Sequence, residues 1–267
     1  VVQLRLAAKQ DVPDMIIFPA QQDGAYLTKH YSDGSLIALN EYIDKYAVNM
    51  QKIFKDYPEY KSAMTLPDGS IVGLGNMVAT KYSFRTQAIR KDWLDRLGLS
   101  MPTTPDELIN VAKAFIQNDM NGNGQADEIG MSGYGTQWKE LGHAWGLHYV
   151  TGDGWTVRNG KVTFEPVTEE YKDFLKFLRR CVQEGVFPAD WASVDKSTHT
   201  ARLINSQCGI EIRADATNII NYLDETNSMR KNNPDAEWRL IPPLDGPYGK
   251  GILVKEPVAQ RWRTLVV

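Results

Sequence analysis

Residues 91–130 read KDWLDRLGLSMPTTPDELINVAKAFIQNDMNGNGQADEIG. Thr104 is a good N-cap, Pro105 sits at the first helical position and Glu107 completes a capping box, so a helix starts there. Leu108, Val111, Ala112 and Phe115 recur at helical spacing and form its buried stripe. Where the helix stops, residues 118–130 (NDMNGNGQADEIG) bring together Asp119, Asn121, Asn123, Gln125, Asp127 and Glu128, with glycines that let the backbone turn sharply. Ca²⁺ takes six to eight oxygens, and side chains spaced by two point at one centre. The match to the helix–loop–helix calcium loop is partial. Its twelfth position, counted from Asp119, is Gly130 rather than a bidentate Glu, and Glu128 stands two residues early. Glu128 would close a tighter cage. The plainer alternative is a polar Asn-Gly turn without metal, but the oxygen donors in register exceed what a turn needs.

Outward from this unit, the chain alternates strands and helices, which argues for an α/β fold. The opening predicts a short helix, a turn at Val12-Pro13 and a buried parallel strand over 14–18, covered on both faces. Short helices are expected over 39–46 and 50–57, then a turn at Pro67-Asp68-Gly69 and a strand over 71–74. Segment 77–90 has modest β character. Residues 155–164 (WTVRNGKVTF) are a hairpin signal, with alternating residues around Asn159-Gly160. A helix begins near Thr168, shows Tyr171, Phe174, Leu175, Leu178 and Val182 on one face, and stops at Gly185. Strands are expected over 209–212 and 238–241, with a helix over 218–224 between them.

Composition narrows the class of partner. The 267 residues allow one large α/β domain or two lobes. A net charge of −3 gives no reason to expect nucleic acid or an anionic membrane. No apolar run is long enough to span a bilayer. With no signal peptide and no initiating Met, the chain reads as a processed or trimmed product. Cys181 and Cys208 lie in apolar surroundings that suit buried thiols better than a redox pair. Seven tryptophans are many, and several fall in polar, turn-rich segments. Their flat apolar faces with a polar handle suit a surface that grips amphipathic ligands.

Five blocks, in order, carry a resemblance: VPDMIIF, AIRKDWLDRLGLSMPTTPDEL, NDMNGNGQADEIG, DGWTVRNGKVTFEPVTEEYKDFLKFLRRCVQEGVFPADW and WRLIPPLDGPYGK. The chain resembles the extracellular solute-binding proteins of sugar-type ABC importers (family 1), in the calcium-containing, oligosaccharide-binding lipoprotein branch. The resemblance implies a type II periplasmic-binding-protein-like α/β fold, two lobes joined by a hinge, with the ligand held in the cleft between them. Members of this branch are longer, so the fold is expected to be incomplete here. The family layout gives lobe one 1–84, lobe two 85–238 with the calcium loop 119–128, and a return segment 239–267. It further implies a structural Ca²⁺, an oligosaccharide ligand, an ABC permease as membrane partner, a monomer, and an extracellular lipoprotein or periplasmic location.

Candidate ligand residues follow from that layout and from the chemistry of sugars, which have apolar faces and polar edges. Gln21, Gln22 and Asp23 come after a strand end and match a family position that reaches the cleft, although a solvated loop is the plain reading. Trp138, with Tyr134, lies in a Gly-rich stretch that the layout turns toward the ligand. Trp138 and Trp145 are two helical turns apart, so either suits a core, and Trp145 is the better core residue. Arg213 and Asp215 follow the strand GIEI and precede a helix whose N-terminal end faces the ligand in the family. An Arg fork there binds hydroxyls or a carboxylate, and the alternative is an ion pair between the two. Tyr82 and Arg85 lie where the chain crosses between lobes, and hinge packing explains them equally well. Trp93 reads as packing.

Enzyme chemistry finds little support. His143 and His148 are five apart, not the i, i+4 pair of a helical zinc site, and there is no Gly-x-Ser-x-Gly elbow or phosphate-binding Gly loop. Carboxylates are plentiful, so a glycoside-active enzyme or a carbohydrate-binding module of one is the alternative. The reading is a receptor that holds a carbohydrate unaltered and delivers it to a permease.

Overall fold

The computed structural model describes residues 2–8, 10–17, 24–77, 85–148, 154–158, 160–251 and 259–266. Its strands are β1 (Ile16–Ile17), β2 (Gly73–Met77), β3 (Thr86–Arg90), β4 (Ile129–Ser132), β5 (Trp155–Arg158), β6 (Lys161–Phe164), β7 (Cys208–Ala214), β8 (Trp238–Leu240) and β9 (Ala259–Val266). The chain divides into two compact units, Val1–Tyr82 with Lys255–Val267, and Ser83–Val254.

In the smaller unit the strand order is β1-β9-β2, with β9 antiparallel to both neighbours. Helices Gly24–Ser32, Asn40–Tyr46, Val48–Asp56 and Pro58–Met64 accompany it. Two apolar clusters hold the unit, one around Leu6, Leu27 and Val72 and one around Ile43, Phe54 and Tyr60. The buried parallel strand expected over 14–18 is corrected here. It is a two-residue edge strand, antiparallel to β9, with Ile16 buried and Ile17 65% exposed. An edge position leaves one face open, so only alternate residues go inside.

The larger unit is built on a sheet of order β4-β7-β3-β8. Central β7 runs parallel to β4 and antiparallel to β3. Of the weakly β segment 77–90, the described strand is β3, and all five of its residues are buried. Ile89, Met131, Ile210 and Ile212 meet Trp93, Leu108, Phe115, Trp145 and Phe174 in the main core. Trp93 and Trp145 are core residues, as their sequence setting suggests. Gly209 is required by this packing, because a Cβ there would lie 2.2 Å from Phe115 Cδ2. Cys181 and Cys208 are buried free thiols, and burial pushes both up to about 12, out of reactive range.

Local signals set the helices of this unit. Pro105–Ile116 starts at Thr104, whose hydroxyl accepts the Glu107 N–H at 3.2 Å. The reciprocal half of the expected capping box lands one residue earlier: the Glu107 carboxylate accepts the Thr103 N–H at 2.7 Å. Helix Glu169–Gln183 is capped by Thr168, and Gly185 follows it in the left-handed region at φ +71°. β5 and β6 form the expected hairpin. The return segment, expected from residue 239, stays in the larger unit up to Val254. There β8 pairs with β3, Ile241 and Leu244 fill the core, and the Thr86 hydroxyl donates to the Ile241 carbonyl at 2.9 Å.

The hairpin is pinned by a buried carboxylate. Glu165 is fully buried; it accepts the His148 N–H at 3.0 Å and faces Arg158 Nε at 3.2 Å. Arg158 also donates to the Gly146 carbonyl and pairs with Glu170. Removing one member of a buried ion pair leaves the other uncompensated in a medium that solvates it poorly. Glu165→Gln is expected to lower unfolding stability by about 3 kcal/mol. Urea denaturation measures it, and a loss below about 0.5 kcal/mol, typical of neutral surface changes, would show that the pair does not matter.

Candidate functional site

β7 carries both the core and the site. Ile210 and Ile212 enter the core, while Glu211 and Arg213 between them line a pocket of about 460 Å³ on the larger unit. That volume lies in the range of small-ligand sites. Arg85, Tyr134 and Asp215 also line it. Asp215 caps helix Ala216–Leu223: its carboxylate accepts the Asn218 N–H at 3.0 Å, and the Asn218 side chain accepts the Asp215 N–H at 3.1 Å. The cap fixes the helix start at the pocket, where Asn218 and Asn221 add amide groups. Arg213 does not pair with Asp215. Its Nε lies 3.0 Å from Glu140 Oε1.

The site residues expected from sequence are distributed as follows. Arg85, Tyr134, Arg213 and Asp215 come together at the pocket. Trp138 does not line it. It is half-buried, stacked on Phe174 at 6.2 Å and edge-on to Trp191 at 6.4 Å, beside a small hollow that Tyr134 also touches. Gln21, Gln22, Asp23 and Tyr82 lie outside the described residues.

The pocket wall also holds a polar chain that sequence reasoning missed. Tyr222 donates to Glu211 Oε2 at 2.7 Å, and His199 Nε2 lies 3.5 Å from Glu211 Oε1. Ser132 Oγ lies 3.0 Å from His199 Nδ1. Burial, and then the Glu211 charge, push the Tyr222 hydroxyl far up, so it stays a donor. A Ser–His–Glu line invites comparison with a hydrolytic triad, but Ser132 is 1% exposed and does not line the pocket. It has no access to a substrate there. One signal was available in the sequence: a carboxylate inside the apolar strand GIEI needs a partner. His199 and Tyr222 come from separate helices, and no spacing rule joins them to it.

The loop 119–128 is organised around its carboxylates. Asp119 accepts the N–H groups of Gly122, Asn123 and Gly124 at 2.7, 3.1 and 2.9 Å. Glu128 Oε1 accepts the N–H groups of Met120 and Asn121, while its buried Oε2 has no hydrogen-bond partner. Burial raises Asp127, but amide hydrogen bonds from Gln207, Asn121 and Asn123 outweigh it and hold the carboxyl below its usual range. Gly124, at φ +75°, holds the sixth position, where calcium loops need glycine. No group of three or more His, Cys, Asp or Glu among the described residues is arranged to hold a metal. Calcium loops, however, also draw on amide and main-chain oxygens, and a buried carboxylate oxygen without a hydrogen-bond partner fits a cation. Asp119, Asn121, Asn123, Asp127 and Glu128 fit as side-chain donors. Gln125, at the seventh position, fits through its carbonyl.

No protein-family model matches the chain. Among curated proteins it is 34% identical over 259 residues to the fructooligosaccharide ABC transporter substrate-binding protein FusA of Streptococcus pneumoniae. That match covers 90% of this chain and 44% of the relative. It is 31% identical over 171 residues to the lipoprotein LipO of Bacillus subtilis, covering 61% of this chain and 32% of that one. The solved structure of FusA in complex with kestose superposes with a TM-score of 0.75 at 30% identity, over 99% of this chain and 54% of that one. The chain is a relative of the substrate-binding proteins of sugar ABC transporters. Its fold is periplasmic-binding-protein-like, and it spans about half the length of these relatives or less. A further FusA structure is described as an EF-hand mutant in complex with fructo-nystose. Among the described residues no helix is long and apolar enough to cross a membrane.

A titratable group beside the site gives a pH prediction. Burial, and then the nearby His148, bring His143 down to about 4. The folded state therefore prefers neutral His143, and its folded value lies below the unfolded one near 6.5. That preference stabilises fully above pH 6.5 and is lost as pH falls from there toward 4. Unfolding free energy is expected to drop over this window, and His143→Gln is expected to flatten the drop. An unchanged slope in the variant would contradict the assignment.

Proposed function

We propose that this chain is part of an extracellular receptor for a carbohydrate, an oligosaccharide, which it binds without chemical change and delivers to an ABC permease. The observation that carries this reading is the 34% identity to FusA across 90% of the chain. The pocket supports it chemically. Sugar hydroxyls need donors and acceptors set close together, and Arg213, Asn218, Asn221, Glu211 and Asp215 offer both. Tyr134 offers an aromatic face for the C–H side of a ring. A fructooligosaccharide is the first ligand to test, after the relative's name. The LipO relative's name favours a lipoprotein, which we take to be anchored outside the cell and to act as a monomer. Transport direction would come from population shift, with the permease recognising the liganded state.

We also propose that the loop 119–128 holds a structural Ca²⁺. It supplies charge to the unpartnered Glu128 oxygen and ties the loop to the end of helix Pro105–Ile116, so binding to the folded state stabilises it by mass action. With calcium at about a hundred times its Kd, the gain is about 2.7 kcal/mol. Chelation is expected to lower the melting temperature by several degrees, with recovery on adding Ca²⁺, and no change in either direction would contradict it. The receptor reading is tested by calorimetry with kestose and other oligosaccharides. Stoichiometric binding with no turnover is expected. Hydrolysis of the glycan, abolished by changing one Asp or Glu, would contradict it.

A further inference from the structure

The pocket beside β7 contains three cations, Arg85, Lys196 and Arg213, which taken alone point to an acidic sugar. Their surroundings reverse that reading. Behind Arg213, helix Gln137–Trp145 presents Glu140, whose side chain is 4% exposed, with Oε1 3.0 Å from Arg213 Nε. Arg213 itself is 30% exposed. Nε makes no hydrogen bond there, so the contact is one of charge, and the two terminal nitrogens of the guanidinium remain a planar fork of donors. His143 Nε2 lies 3.7 Å from the other Glu140 oxygen. Burial keeps that imidazole neutral at neutral pH, so it leaves the carboxylate's charge to Arg213.

We propose that Glu140 is a positioning residue that cancels the charge of Arg213 and so sets the pocket to take uncharged oligosaccharides rather than uronic-acid ones. The proposal rests on the receptor reading and adds the charge class of its ligand. Among the described lining groups, the three cations are matched by Glu211 and Asp215 in the wall and by Glu140 behind it. A uronate entering this pocket loses hydration and finds no unbalanced cation, while it faces two carboxylates. A hydroxyl-bearing ring meets no such penalty. The Arg213 fork donates to vicinal hydroxyls, and Glu211 and Asp215 accept from them.

The test measures binding of the full chain to neutral trisaccharides (kestose, maltotriose, xylotriose) and to trigalacturonate, for the parent and for Glu140→Gln. The parent is expected to bind a neutral trisaccharide at least about tenfold more tightly than trigalacturonate. Glu140→Gln keeps the shape but frees the Arg213 charge. Its affinity for trigalacturonate is expected to rise about tenfold while that for the neutral sugar falls. General structural damage would lower both together, and that outcome overturns the proposal. A parent that prefers trigalacturonate overturns the charge argument and leaves the receptor reading standing. A parent that binds none of the four overturns both. Should Glu140→Gln fail to fold, the parent's own selectivity still decides.

Discussion

The larger unit depends on one constraint: β7 must lie flat against the core while carrying charge on alternate residues. Its hydrogen bonds to β4 and β3 fix its position in the sheet. Gly209 lets the backbone approach Phe115 and Trp93 more closely than any side chain would permit. With that contact made, Ile210 and Ile212 are committed to the core, and strand geometry turns Glu211 and Arg213 the other way. Each of these charged groups then requires a partner, since a buried charge without one is costly. Tyr222 and His199 meet Glu211, and Glu140 meets Arg213. The polar wall of the pocket is thus a consequence of how the central strand is packed.

Local signals in the sequence were the most legible part of this fold. Thr104, Pro105 and Glu107 mark a helix start, and the structure has it; Asn159-Gly160 marks a hairpin, and its strands pair. These features depend on neighbours in the chain, where spacing rules apply. Even there the Glu107 carboxylate chose Thr103 over Thr104, a difference of one residue that composition does not encode. The strand over 14–18 was harder. Its apolar run suits a covered strand, but its place in the sheet is decided by β9, which comes from the far end of the chain.

The site divides along the same line. Arg213 and Asp215 were readable because they stand at the end of an apolar strand and just before a helix, and Arg85 and Tyr134 because the family layout placed them. The Glu211–His199–Tyr222 chain was not readable, because its members come from a strand and two helices and meet only in three dimensions. Glu140 was hidden for the same reason. Trp138 has the composition of a sugar platform, and in the structure it stacks on Phe174 and meets Trp191 edge-on, beside the pocket rather than in its wall. An aromatic residue in a polar stretch announces that it will pack, but not against what.

Placement of the ligand against β7 is the claim on which the functional account turns. Nitrogen-detected NMR of the arginine side chains and backbone amides, followed while a bound oligosaccharide is titrated in, tests it most directly. The account predicts that Arg213 Nε and the amides of residues 211–218 shift together and saturate with the binding isotherm. Saturating binding that leaves these resonances unmoved, with shifts confined to other parts of the chain, would contradict it.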